Sequence, residues 1–383
     1  MDKCMKVLQI NKLYYPHIGG VERVVQDIAE GLKDKVDMKV LVCQQKGKGG
    51  KEIINGVEVF RASSLGIYFS MPVSFNFPFL LKRLGKDMDI LHFHMPFPLG
   101  DISYLLMKPQ GKLVVWWHSD IIKQKNLLRL YKPFLIRFLR KADKIIVATP
   151  NHIESSVFLK DFRDKCEVIP FGIDIARFRL NDKMREKVES IRDKYGPKII
   201  LFIGRLIYYK GVEYMIRAMK RVDARLLIVG DGPLRDSLIN LVTKLGIEDK
   251  IVFLRKIDDE EIAIYYHACD IFVLPSIANS EAFGIVQLEA MACGKPVVST
   301  NLPTGVPFVN SHEKTGLIVP PKDSEAMAQA INRLLNNSDL REIYGQYSKQ
   351  RVEKEFTKEL MIRRILTVYE KLLNNQNSRK GDL

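Results

Sequence analysis

Nowhere does this chain offer the roughly eighteen consecutive apolar residues that a bilayer-spanning helix needs, so hydropathy excludes a transmembrane segment. Its first residues, Met-Asp-Lys-Cys-Met-Lys, carry neither the apolar core nor the small-residue cleavage site of a secretory signal, and the chain is expected to stay in the cytoplasm. Cysteine is sparse. Cys4, Cys43, Cys166, Cys269 and Cys293 are odd in number and widely scattered, which fits reduced core residues and neither a disulfide framework nor a zinc site. The Gly-x4-Gly-Lys-Ser/Thr loop of P-loop nucleotidases is missing, and the turn Gly230-Asp231-Gly232 is only part of a dinucleotide fingerprint. Acidic residues are outnumbered, 45 against 60 Lys and Arg, which leaves a net charge of +15 and a pI near 9.4. Such a balance predicts attraction to nucleic acid, anionic lipid or a phosphorylated substrate, and charge alone does not choose among them.

What is present is a chain of 383 residues, more than one ordinary core accommodates and suited to two domains. Apolar runs at residues 7–10, 40–43, 57–62, 90–94, 113–117, 145–149 and 167–171 are separated mostly by helical or loop segments. A second series follows at residues 198–205, 225–233 with its glycine turn, 250–255, 270–276, 296–300 and 316–319. Alternation of this kind predicts α/β units with parallel sheets. The proline and glycine breaks in Ile169-Pro170-Phe171-Gly172 mark the boundary between them.

The stretch around Ser280-Glu281-Ala282-Phe283-Gly284-Ile285 carries the most chemistry. It follows a buried strand, Gly284 lets backbone approach a ligand, and a helix is predicted to begin near Phe283. Glu281 then lies at the positive end of that helix and Glu289 about two turns inside it. Free amides at a helix start suit a phosphate, and two separated carboxylates suit sugar hydroxyls. Arg205 and Lys210, five residues apart, follow another buried strand and offer fixed positive charge for a departing diphosphate. Near the start of the chain, Gly19-Gly20-Val21-Glu22-Arg23 joins the first strand to a helix, a phosphate-facing turn. His118 ends the buried strand Leu113–Trp117, where open parallel sheets collect ligands.

These residues together resemble the retaining, nucleotide-sugar-dependent glycosyltransferases of family 4 and group 1, a family that includes many mannosyl- and rhamnosyltransferases of envelope synthesis. The resemblance rests on the Glu281…Glu289 pair around Phe283-Gly284-Ile285, the following Glu289-Ala-Met-Ala-Cys-Gly-Lys-Pro, the Gly204-Arg205…Lys210-Gly211 pattern and Gly19-Gly20. It implies a GT-B fold: two facing Rossmann-like domains with parallel sheets and an interdomain cleft. The acceptor-side domain would span residues 1–174 and the nucleotide-sugar domain residues 175–355. A helix at residues 356–373 would cross back to the first domain, and residues 374–383 would form a disordered tail. It further implies transfer of a hexosyl group, with retained configuration and without a metal or other cofactor, from a nucleoside diphosphate sugar. GDP-mannose is favoured by the loop at Thr304-Gly305-Val306-Pro307. The acceptor would be a saccharide or a polyprenyl-linked or glycolipid saccharide. His118, Glu281, Arg205 and Lys210 would act in catalysis. The donor would be held by Gly19, Gly20, Arg205, Lys210, Lys256, Glu281, Phe283, Gly284, Ile285 and Glu289.

Several features keep two readings. Eight basic residues and one acid lie between Lys123 and Lys144, interleaved with Leu and Phe, and Pro133 is expected to kink or divide the helix. This segment either lies on an anionic membrane surface as a peripheral anchor or turns its apolar side to the core. The apolar residues 67–79 are either an acceptor-side loop or core packing. His92 and His94 share one strand face and are expected to line the cleft or pack beneath it. Asp87-Met88-Asp89 imitates a metal-binding motif but reads as a solvated strand start. Two rival functions stay open, a non-hydrolysing nucleotide-sugar epimerase and a basic nucleic-acid-binding protein. No nucleic acid is expected as partner, because the aromatics sit mostly in apolar strands.

Overall fold

The computed structural model describes residues 4–17, 19–69, 71–120, 125–255 and 257–381, with residues 125–127 and 375–381 described by backbone alone. The chain divides into two units, one built from the residues up to Pro170 together with those from Glu359 on, the other from Phe171–Lys358.

The first unit contains β1 Lys6–Ile10, β2 Asp37–Cys43, β3 Gly50–Ile54, β4 Val57–Ala62, a short antiparallel pair β5 Ile67–Tyr68 and β6 Met71–Pro72, then β7 Ile90–Met95, β8 Lys112–Trp117, β9 Lys144–Val147 and β10 Cys166–Val168. Eight of them form one sheet in the order β10-β9-β8-β7-β1-β2-β4-β3, parallel except for β3 on β4. Helices cover the sheet, so the central strands are buried on both faces and read as continuous apolar runs. The strand β3 escapes that pattern because it is an exposed antiparallel edge. Its turn, Asn55-Gly56 with both φ values positive, is the two-residue hairpin connection that such dipeptides favour. One sheet face carries Leu8, Phe93, Val115 and Trp117 into a core shared with Leu135 and Phe138. Period-two alternation sends Gln9, His92, His94 and Trp116 to the other face.

The helix Lys358–Gly381 supplies buried Met361, Ile365 and Tyr369 to this unit, and it runs on past Leu373 through residues whose composition suggested a tail. The helix Lys125–Lys141 is continuous through Pro133 and is not divided there. Pro133 lies on its exposed side, where the carbonyl left without an intrahelical donor meets water.

The second unit has one all-parallel six-stranded sheet, β11 Ile199–Ile203, β12 Arg225–Val229, β13 Ile251–Leu254, β14 Ile271–Leu274, β15 Val297–Thr300 and β16 Gly316–Val319, in the order β13-β12-β11-β14-β15-β16. Neighbours β11 and β14 come from opposite halves of the winding, so the loops leaving their carboxyl ends lie at the point where the strand order reverses. Arg205 and Lys210 leave β11, and Glu281 follows β14. Asp323 accepts from the amides of Glu325 and Ala326, capping the helix Ser324–Leu335 as its sequence suggests.

Candidate functional site

The topology brings Lys210 and Glu281 into direct contact, with Lys210 Nζ 2.6 Å from Glu281 Oε2. Both are buried, at 8% and 7% exposure. The hydroxyl of Ser276, the polar residue just beyond β14, donates to the same carboxylate oxygen at 2.9 Å. In turn the Thr300 hydroxyl donates to the Ser276 carbonyl, so the carboxylate is supported from the next strand as well.

Gly211 makes this contact possible. It holds φ +61°, and a Cβ built there would sit 2.3 Å from the Pro275 carbonyl oxygen. Only a glycine lets the turn carrying Lys210 press against the loop leaving β14, where the Ile277 amide donates to the Tyr209 carbonyl at 2.8 Å. Gly211→Ala is therefore expected to destabilise the second unit by about 2 kcal/mol or more and to lower activity by displacing Lys210. Gly246→Ala is the control, since Gly246 has φ +65° but open space around its Cβ position. Thermal denaturation of the two variants checks this, and equal losses would contradict the role given to the Pro275 contact.

The loop bearing Arg205 rests on another glycine turn. A Cβ at Gly232 would meet the Leu206 backbone, and the Leu206 amide donates to the Asp231 carbonyl at 2.9 Å. The turn at residues 230–232 thus supports the Arg205 loop from below. Arg205 itself is exposed.

The helix after Glu281 begins at Ile285, two residues later than Phe283, which places Glu289 only about one turn inside it. Gly284 precedes it with φ +74°, its Cβ position 2.6 Å from Leu274. Phe283 points inward, its ring edge-on to Phe171 at 5.0 Å and to Phe356 at 6.3 Å. Its side chain anchors the loop, and only its backbone is left for a ligand. Glu289 accepts a 2.7 Å hydrogen bond from Tyr266, a buried tyrosine whose hydroxyl is held protonated by burial, well above its ordinary range. The arrangement offers an arginine, a lysine and the first amides of the Ile285 helix to an anion, with two fixed carboxylates for hydroxyl groups. Lys256 lies outside the described residues.

In the first unit, Gly19 precedes the helix Gly20–Leu32 and accepts through its carbonyl from Arg23. Nothing lies within 4 Å of a Cβ position at Gly20. His118 is buried and stands at the end of a polar row on the sheet. Its Nε2 lies 2.9 Å from His94 Nδ1, and His94 Nε2 lies 2.7 Å from Gln9 Oε1. Because an amide oxygen only accepts, His94 donates from Nε2, accepts at Nδ1, and His118 donates from Nε2. Gln9 continues the row by donating to Tyr369 at 2.9 Å, and Tyr369 donates to His92 Nδ1 at 2.6 Å. The three rings stack on Trp116, whose plane is within 3° of His118. His92 and His94 are both fully buried within this row. Trp117 and Ser156 both donate to Asp120, which holds the loop after His118. Asp89 accepts from the Lys6 amide at 2.9 Å, as a strand-start carboxylate does.

Burial pushes these histidines down, His92 to about 3, His152 to about 4, and His94 and His118 well below the ordinary range. Their folded values lie below the unfolded one, so as pH falls through about 6.5 the unfolded chain takes up protons that the folded unit refuses. Asp101 works in the opposite sense: burial raises it to about 8, and the stability it contributes is lost as pH rises towards that value. Four histidines outweigh one aspartate. Between pH 7 and pH 5 the first unit is expected to lose on the order of 5 kcal/mol. Urea unfolding across that range checks this, and a stability that holds or rises towards pH 5 would contradict it.

Gln9 and Tyr369 in the first unit, and Tyr266 and Ser276 in the second, hold the candidate residues of their own unit without having been singled out from sequence. Gln9 and Ser276 left a signal, a polar residue inside or just after a buried strand. Tyr369 left none.

Residues 183–351 match the model of the family described as glycosyl transferases group 1, and residues 18–177 match that of glycosyltransferase family 4. The O-antigen chain mannosyltransferase C of Escherichia coli is 34% identical over 375 residues, 97% of this chain and 100% of that protein. The D-rhamnosyltransferase WbpZ of Pseudomonas aeruginosa is 34% identical over 361 residues, 92% of each. Among solved structures, HepE of Anabaena in complex with UDP superposes with a TM-score of 0.78 at 21% identity, over 96% of this chain and 100% of that one. A glycosyltransferase from Rickettsia africae gives the same TM-score at 23% identity, over 97% and 99%.

Proposed function

This chain belongs to the group 1 and family 4 glycosyltransferases and has their GT-B fold, and from that premise we propose that it moves a hexosyl group, with retained anomeric configuration, from a nucleoside diphosphate sugar to a saccharide or lipid-linked acceptor in envelope polysaccharide or glycolipid synthesis. The observation that carries the reading is the buried Lys210–Glu281 contact at the carboxyl ends of β11 and β14, beside exposed Arg205 and the Ile285 helix start.

In this reading the departing diphosphate is met by Arg205, Lys210 and the first amides of the Ile285 helix, which stabilise its developing charge. No metal ion is assigned a part. Glu281 and Glu289 take hydroxyls of sugar and ribose. When the donor arrives, Lys210 turns its charge from Glu281 to phosphate and leaves that carboxylate free for the sugar. His118 is given the contact with the reacting sugar, and the backbone at Gly19 and Gly20 admits the donor. GDP-mannose is the favoured donor, supported by the mannosyltransferase relative and by the Thr304-Gly305-Val306-Pro307 loop. A lipid-linked acceptor places the chain on the inner face of the cell membrane. No helix among the described residues is long and apolar enough to cross one.

The test is to incubate the protein with GDP-mannose, GDP-rhamnose and UDP-glucose and a panel of saccharide and polyprenyl-diphosphate-linked acceptors, then read the new linkage by NMR. An α-linked product from an α-linked donor is expected. An inverted product, or donor epimerised with no acceptor consumed, overturns the reading.

A further inference from the structure

Three helices of the first unit, Phe77–Gly85, Pro98–Met107 and Lys125–Lys141, pack side by side, the middle one touching both others. Their inward residues Phe77, Leu81, Tyr131, Leu135 and Phe138 join the core under the sheet. Across all three there is a single carboxylate, Asp101, and it is fully buried with its oxygen bonded to Tyr131. Facing water are cations only: Lys82 and Arg83 on the first helix, Lys108 just after the second, and Arg129, Lys132, Arg137, Arg140 and Lys141 on the third.

The same outer side exposes large apolar groups. Phe79 is 67% exposed, Leu106 66%, Leu130 74% and Phe134 50%. A groove of about 660 Å³ runs along the second and third helices, lined by Leu105, Leu106 and Phe134 together with Lys108, Arg137 and Lys141. An amphipathic helix needs only one apolar side to reach a core, and the third helix already spends Tyr131, Leu135 and Phe138 on that. Leu130 and Phe134, one turn apart, therefore form a second apolar strip with no core to fill.

Apolar tips between long cationic side chains, with no exposed carboxylate to repel phosphate, match the boundary of a bilayer. Leucine and phenylalanine enter the acyl edge while lysine and arginine reach up to headgroup phosphates. A nucleic acid would find the same charge and two rings, Phe79 and Phe134, but the exposed Leu106 and Leu130 between the cations offer a base no face to stack on, whereas an acyl edge takes all four.

We propose that the outer side of this three-helix layer is a docking surface for an anionic phospholipid bilayer. It deepens the membrane placement given above but stands on its own observation, and it enlarges the basic segment seen in the sequence to three helices. Lys123 lies outside the described residues and takes no part in the argument.

Co-sedimentation with vesicles tests it, using phosphatidylcholine alone and phosphatidylcholine mixed with phosphatidylglycerol. Binding to the mixed vesicles is expected to be at least about tenfold tighter and to weaken as salt rises, since each cation near such a surface contributes about fivefold. Arg137→Glu with Lys141→Glu, and separately Leu130→Ser with Phe134→Ser, are each expected to weaken binding about tenfold or more with unchanged melting temperature. Equal binding to both vesicle types, or variants that bind as the parent does, overturns the proposal, as does binding to duplex DNA with none to vesicles. Transfer to a short water-soluble acceptor should be the same in parent and variants, so a failure of the donor reading leaves the vesicle result standing and the reverse.

Discussion

Lys210→Ala is expected to lower the transfer rate about 100- to 1,000-fold and to destabilise the second unit at the same time. The rate falls because a fixed cation aimed at a departing diphosphate is worth roughly that factor when removed. The stability falls for a different reason. Glu281 would keep its burial and its hydrogen bond from Ser276 but lose the ammonium group 2.6 Å away. An uncompensated buried charge costs about 3–5 kcal/mol. The two effects separate in the double variant Lys210→Met/Glu281→Gln, in which no charge is left unpaired. Its melting temperature should return towards that of the parent, while its transfer rate stays low. If Lys210→Ala transfers at the parental rate, Lys210 has no part in the leaving-group site. If the double variant melts as low as the single one, the ion pair is not what holds the loop.

A chain ending at Lys358 is expected to lose the fold of its first unit altogether. Met361, Ile362, Ile365, Val368 and Tyr369 are all buried there, and each contributes roughly 1.5–3 kcal/mol by leaving water. Their sum, on the order of 10 kcal/mol, is comparable with the whole stability of a domain. The loss also reaches Gln9 and His92, both hydrogen-bonded to the Tyr369 hydroxyl. Close fit makes the docking specific: a Cβ at Gly31, on the helix Gly20–Leu32, would sit 2.2 Å from Ile362. Urea unfolding of the truncated chain should show the transition of the second unit alone. The first unit's transition persisting unchanged would mean that the terminal helix is an accessory to it.

Both expectations start from residues that the sequence displays to different degrees. The strands are legible because parallel strands buried on two faces must be apolar along their whole length, as Ile199–Ile203 and Ile271–Leu274 are. Glu281 and Lys210 are legible for a related reason, since each follows such a strand and has a glycine close behind it, Gly211 next to Lys210 and Gly284 shortly after Glu281. That the two touch is not, because their contact depends on β11 and β14 being neighbours and on the Gly211 turn, both facts of the tertiary fold. Phe283 shows the limit more sharply. Its place in the motif suggested a ligand contact, whereas packing against Phe171 and Phe356 turns it inward. The histidine row is half visible, with His92 and His94 two residues apart on one strand face. The tautomer imposed by Gln9 needs the register of β1 against β7. Finally, the apolar residues 67–79 read from sequence more readily as core packing than as an acceptor-side loop. The structure divides them, Phe77 fully buried and Phe69, Phe75 and Phe79 exposed, a choice set by the hairpin and helix that hold them and not by composition.

The central claim is that the second unit holds a nucleoside diphosphate sugar by its diphosphate and its hydroxyls at Arg205, Lys210, Glu281 and Glu289. Isothermal titration calorimetry with GDP, UDP, dTDP and ADP and their sugars, in EDTA and repeated on Arg205→Ala and Glu289→Ala, tests it most directly. One nucleotide, with GDP expected, should bind at least about tenfold more tightly than the others, survive EDTA, and weaken by about tenfold or more in each variant. Binding that is absent for all four, or undiminished in both variants, would contradict the account.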